Sequence, residues 1–235
     1  MKSWFPLTDY EFYAYLIAGG LLLAAVDYTL GTGGLVARTH WTLVDGLFWG
    51  AIAYLAGQVS AAPSSALLEH VVARRWMTIP ADIQLGLKQR NAFETCFAAF
   101  FAPREYAPMK PALRAAALQR ASTRLGQPAG GLDGETVFQA AFHAARTSSD
   151  TAARLSTFLN QYGFCRNVAF VSTLAAGLLG WREWSAPSSQ TALLLAGSFV
   201  LAIGMFGRFL KFYAAYSLDV LRAFATATEA AASAA

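Results

Sequence analysis

Four long apolar runs stand out along the chain. Phe12 to Leu30 is interrupted by one charge, Asp27, near its far end. Leu43 to Ala62 carries Asp45 at its start and Gln58 near its end. Tyr162 to Trp181 admits Arg166 and Asn167 early and is uninterrupted from Val168 onward, and Thr191 to Phe206 is closed by Arg208 and Lys211. A helix rises about 1.5 Å per residue, so about 20 residues cross a hydrocarbon core about 30 Å thick. Each run comes close to that length and is predicted to be a membrane span; the alternative for the weaker two is a short helix buried in a protein core. The spans pair into two helical hairpins, joined by the polar turns Gly31 to Thr42 and Arg182 to Gln190. Trp41, Trp49, Trp181 and Trp184 gather near those turns, as aromatic residues do at a membrane–water interface. The first run follows Asp9 and Glu11 rather than a basic segment and leaves through Asp27-Tyr28-Thr29 rather than an A-x-A site, so it is read as a retained span.

Between the hairpins the pattern is helical, with no convincing strand alternation. The second span is expected to run on to about Trp76. After a turn at Thr78-Ile79-Pro80, a helix is expected from about Ala81 to Phe101. Phe93, Phe97, Phe100 and Phe101 fall on one of its faces, read first as packing on other cytoplasmic helices and second as lying along the lipid surface. Pro111 suits the first turn of a helix ending near Leu125. Gly126 to Gly134 is a loop by composition. Asp133 can cap a helix from about Gly134 to Arg146, with Val137, Phe138, Ala141, Phe142 and Ala145 as its apolar face. Ser148 or Ser149, followed by Asp150, signals the start of a helix that feeds the third span. Helical periodicity continues past Arg208 with no Gly or Pro to stop it, and the small polar tail from Ala225 to Ala235 is expected to fray. Three of the four spans thus extend outside the bilayer as continuous rods. The predicted fold is all-α: an integral membrane protein with a first hairpin in residues 1–62, a helical cytoplasmic segment in 63–160, and a second hairpin with a long C-terminal helix in 161–235, its spans at about 162–181 and 191–207.

Composition sharpens this picture. Hydrophobic residues make up 56% of the 235 residues and charged residues 14%, whereas a soluble domain carries about 25% charged residues. The charges crowd into the middle. Arg74, Arg75, Arg154, Arg166, Arg208 and Lys211 lie close to span ends on one side, while the two hairpin turns hold only Arg38 and Arg182. Basic residues are retained on the cytoplasmic side, so both termini and the central segment are expected on the cytoplasmic side of a bacterial-type (inner) membrane. The net charge of +4 and pI of about 9.2 point to lipid with anionic headgroups as a partner. Nucleic acid is not implied, because no RRM or C2H2 fingerprint accompanies the charge. Cys96 and Cys165 both fall on the reducing side and are expected to be free thiols.

Candidate chemistry is sparse. No Walker A, G-x-G-x-x-G, H-E-x-x-H, G-x-S-x-G or C-x-x-C pattern occurs. No cofactor or metal is implied, since zinc-ligand spacing is absent around His70, Glu69, Glu94 and Cys96. The notable groups are polar residues at membrane depth, which are expensive there and point to function: Asp27, Gln58, Arg166, Asn167 and Asp219. Asp27 is expected to bond with Arg38 or His40 at the outer rim, or to attract cations at a pore mouth. Arg166 is expected to snorkel to lipid phosphate, or to pair with Asp219 or Glu69. Gln58, Ser60, Ser64 and Ser65 stripe the inner end of the second span, bonding between helices or lining a wet vestibule. Gly19-Gly20, Gly177, Gly180, Gly197 and Gly204 permit close helix contact, but none forms a small-xxx-small pattern that names an interface. These features suggest a non-enzymatic homo-oligomer, pore-forming or otherwise acting on the membrane, with a cytoplasmic sensing or docking region. The alternatives are a scaffold that anchors a cytosolic protein partner and a membrane-embedded enzyme using Cys96 or a carboxylate.

Overall fold

The computed structural model describes residues 9–146 and 149–227. Among these every regular element is helical: α1 (Asp9–Leu30), α2 (Leu43–Ser64) with a π-helical continuation (Ser65–Trp76), α3 (Pro80–Gln84), α4 (Ala92–Phe101), α5 (Pro111–Leu125), a 3-10 turn (Ala129–Gly131), α6 (Gly134–Arg146), α7 (Ser149–Ser185) and α8 (Ser189–Thr226). Four helices are long and apolar enough to cross a membrane: α1, α2 with its continuation, α7 and α8. The long rods predicted from sequence are present, α7 with 37 residues and α8 with 38. The tail after Ala227 and the Ser148 cap lie outside the described residues. The continuation from Ser65 to Trp76 is helical as expected but wider than an α-helix. π-Helical turns normally occur as single bulges and often mark functional sites.

The chain divides into two compact units, one built from the stretches ending at His70 and at Phe209, the other from Val71–Tyr162 and the chain from Leu210 onward. In the first unit, α1 and α2 lie antiparallel at very short range. The buried positions of α2 are Ala53, Gly57, Ser60 and Ser64, a seam of small residues spaced four, three and four apart. A methyl group built on Gly57 would stand 1.9 Å from the Tyr15 carbonyl oxygen, and one on Gly19 would stand 1.7 Å from that of Ala53. Backbones can approach this closely only where no side chain intervenes. Ala18 of α1 packs with Val168, Phe170 and Val171 of α7, against Leu21, Leu22, Leu68 and Met205.

The second unit has its own core. Ala117 and Ala121 of α5, Val137, Ala141 and Ala145 of α6, Leu155 of α7 and Leu221 of α8 are buried together. The predicted apolar face of α6 is the one that packs, with Phe138 and Phe142 against this cluster. Local signals set the helix ends. Pro111 opens α5 at its first turn, and Gly126, with φ of 65°, closes it in the left-handed conformation that favours glycine. Asp133 caps α6 by accepting from the Thr136 amide at 2.8 Å. The Thr136 hydroxyl and amide together hold its carboxyl below the usual carboxylate range.

One predicted helix is two. The run from Ala81 to Phe101 breaks after Gln84, turns at Gly86 (φ 65°) and restarts at Ala92. Asn91 supplies the restart: its side chain accepts from the Glu94 amide at 2.8 Å, and the Glu94 carboxylate accepts from the Asn91 amide at 2.7 Å. This reciprocal capping box satisfies donors that a helix start leaves open.

Candidate functional site

Polar groups of the first unit gather at two places along its helices. At the end holding the α1–α2 turn, Asp27 is buried and organises the loop that follows α1. Its carboxylate accepts from the Gly34 amide at 2.8 Å, the Leu35 amide at 3.0 Å and the Val36 amide at 2.8 Å, and from the Thr32 hydroxyl. The expected partners Arg38 and His40 are not its partners. Arg38 instead pairs with Asp45 at 2.8 Å, and Asp45 is itself held in a capping box with Thr42 at the start of α2. The physical reason is local: four donors within nine residues reach Asp27 without an extended side chain being immobilised.

Arg182, near the end of α7, ties this end of the unit together. Its guanidinium donates to the Tyr28 carbonyl and, at 2.9 Å, to the Thr29 carbonyl, two acceptors in the last turn of α1. A cation there also opposes the negative end of the helix dipole. The guanidinium lies 4.6 Å from the centre of the Tyr28 ring, and the Tyr28 hydroxyl reaches Thr191 Oγ1 at 3.0 Å. Sequence reasoning left Arg182 as a turn residue. Its only signal was a solitary arginine where few basic residues are retained.

Towards the other end, Arg166 pairs with Glu69 at 2.9 Å, and the Ser65 hydroxyl donates to the same carboxylate at 3.1 Å. Both charged side chains are largely buried, 15% and 18% exposed, so the pair between helices replaces the snorkelling expected for Arg166. Of its two candidate partners the structure brings Glu69; Asp219 sits half-buried on α8 in the second unit. Next to Arg166 in sequence, Asn167 is 2% exposed and its Oδ1 finds no hydrogen-bond partner. Gln58 faces outward from α2. Its amide donates to the Tyr54 hydroxyl at 2.8 Å, among the exposed side chains Leu55 and Val59. The four-residue polar stripe divides: Ser60 and Ser64 are buried, Ser60 donating to the Gly57 carbonyl at 2.8 Å, while Gln58 is exposed.

In the second unit the polar hub is one that sequence reasoning missed. Gln84 is completely buried. Its Nε2 donates to the Glu105 carbonyl at 2.9 Å and the Ala214 carbonyl at 2.8 Å, and its Oε1 accepts from the Ser217 hydroxyl at 2.8 Å. Beside it Asp82, 2% exposed, accepts from the Gly134 amide at 2.7 Å and pairs with Lys88 at 2.7 Å, a bond that raises the Lys88 pKa. Burial pushes the Tyr106 phenol well above its ordinary value. The expected packing of the phenylalanine face of α4 is not found. Phe93 is 54% and Phe100 82% exposed, while Glu94 and Ala98 form the buried side of that helix. Cys96 is exposed and lines a shallow hollow with Phe93, Phe97 and Phe100; no histidine is among its walls. Among the described residues no group of histidine, cysteine and carboxylate side chains is arranged to hold a metal ion.

Among the described residues the chain is all-helical, and its four helices long and apolar enough to cross a bilayer point to an integral membrane protein. Comparison with family models, with curated proteins and with solved structures finds no match to the chain.

Proposed function

We propose that the protein is a non-enzymatic homo-oligomer of a bacterial-type inner membrane, forming a pore or acting on the bilayer as an assembly, with the second unit as a cytoplasmic docking or sensing module. The observation that carries this reading is Gln58. It projects from α2 on the side occupied by Leu55 and Val59, away from the seam with α1. An amide facing hydrocarbon leaves polar groups unsatisfied, and Tyr54 accepts from only one of its two N–H groups. A second copy of α2 supplies the missing partners, in the way amide side chains join helices within membranes. The crowding of arginine beside the inner ends of the helices supports cytoplasmic termini. Because Asp27 is committed to its loop, the polar lining of any shared axis rests on Gln58 and not on Asp27.

Mass measurement of the full chain in lipid nanodiscs, together with recordings in planar bilayers, tests this. The wild type is expected to be a closed oligomer with measurable conductance, and Gln58→Leu is expected to shift the population to smaller species and reduce the current. A monomer that is silent at all voltages would contradict it. A stable oligomer that never conducts but retains a cytosolic protein on gentle isolation would move the reading to a scaffold.

A further inference from the structure

The α4 face is an exposed aromatic surface of the second unit, with Phe93 and Phe100 open to the outside. Phe93, Cys96, Phe97 and Phe100 occur at i, i+3, i+4 and i+7, one stripe of a helix. Their rings stack along that stripe, Phe93 on Phe97 at 5.5 Å and Phe97 on Phe101 at 4.6 Å between centroids. The stripe carries no charge. The one acid in the helix, Glu94, is turned inward and consumed by the Asn91 and Thr78 amides. The acids on either side are engaged as well, Asp82 with Lys88 and Glu105 facing Lys211 at 3.8 Å. The chain flanking the helix is basic: Arg90 precedes it, and the exposed Arg104 and Lys110 follow it.

We propose that α4 lies on the bilayer in which the chain is embedded, with Phe93, Phe97 and Phe100 dipped among the acyl chains and Arg90, Arg104 and Lys110 against anionic headgroups. An apolar stripe bordered by cations is the signature of a helix in the membrane interface, and each basic residue near an anionic leaflet adds to the attraction. A second copy of this chain is the poorer occupant, since pairing two such faces would bring like-charged flanks together. The ten-residue helix needs little intrinsic affinity. It begins at Ala92, in the chain that follows the second apolar helix and its continuation to Trp76, so covalent tethering holds it near the lipid surface and raises the effective concentration. This rests on the membrane embedding of the chain and not on its oligomeric state.

The native sequence provides the probe. Cys96 is exposed within the stripe and Cys165, the other cysteine, is buried, so a nitroxide attached to the full-length protein goes to Cys96 without any substitution. In nanodiscs of phosphatidylcholine mixed with phosphatidylglycerol, the label is expected to collide with oxygen severalfold more than with a water-soluble nickel chelate. A label at the exposed Gln119→Cys in a Cys96→Ala background is expected to show the reverse. Nanodiscs of phosphatidylcholine alone, or the double substitution Phe93→Ser and Phe100→Ser, are expected to move the Cys96 label toward the nickel-accessible pattern. A Cys96 label as open to nickel as the Gln119 control would overturn the proposal. So would a label shielded from both reagents, which is the mark of protein covering the stripe, and so would a pattern indifferent to lipid charge.

Discussion

Gly57→Ala is expected to destabilise the protein, although helix propensity alone predicts the opposite. Alanine is favoured over glycine within a helix by about 1 kcal/mol, and Gly57 lies in the interior of α2. The added methyl would meet the backbone of α1, 1.9 Å from the Tyr15 carbonyl oxygen and 2.8 Å from its Cα. A flexible side chain could swing aside, but a helical backbone cannot, so α1 and α2 must separate along the seam. Overpacking of this kind typically costs about 1–3 kcal/mol and occasionally more, and a clash with main-chain atoms belongs at the upper end. Gly20→Ala is the control. It adds the same methyl one position from Gly19, where nothing lies within 4 Å, and it is expected to leave stability unchanged or slightly raised. The apparent unfolding midpoint of detergent-solubilised protein, followed by loss of the monodisperse chromatographic peak, reads both. A drop of roughly 5–10 °C is expected for Gly57→Ala, at about 2–4 °C per kcal/mol for a chain of this size. Equal midpoints for the two variants would show that α1 and α2 do not approach as described.

Gln84→Leu is expected to be comparably damaging in the second unit, for a different reason. Leucine nearly fills the volume of glutamine, so little cavity is left. The Glu105 carbonyl and the Ser217 hydroxyl lose their partners, while the Ala214 carbonyl keeps the acceptor role it has inside α8. A buried polar group left unsatisfied costs about 1–3 kcal/mol, so two such groups make a loss of about 2–6 kcal/mol. Gln84→Glu is expected to be worse. It replaces a donor aimed at two carbonyl oxygens by a carboxylate oxygen, placing a buried negative charge against the negative ends of two dipoles. Hydrogen exchange localises the effect: amides of α3 and of α8 around Ala214 and Ser217 are expected to lose protection first. A Gln84→Leu protein as well protected as wild type would remove Gln84 from the role of hub.

The sequence carries strong information where one residue type has one physical use. Pro111 and Gly126 bracket α5, and Asp133 caps α6, because a missing N–H, a positive φ and a short side-chain acceptor each act within a turn of the residue itself. The four apolar helices were legible for a similar reason, since length and charge depletion are summed over many residues. Periodicity was less decisive. It identified a phenylalanine face on α4 but not what lies against it, and it ran across the break at Gly86 to Asn91 even though the pattern Asn91-x-x-Glu94 marks a helix start. The close approach of α1 and α2 is carried by Gly19 and Gly57, and isolated glycines at helical spacing do not by themselves name the helix they meet. Least visible were the partners of Arg182 and Gln84. Both donate to main-chain carbonyls, which every residue possesses, so no residue type at the far end signals the contact.

Embedding in the bilayer is tested most directly by washing membranes that contain the full chain with alkaline carbonate. The protein is expected to remain in the membrane pellet and to be released only by detergent. Recovery of folded protein in the carbonate supernatant would contradict the crossing of a bilayer by α1, α2, α7 and α8.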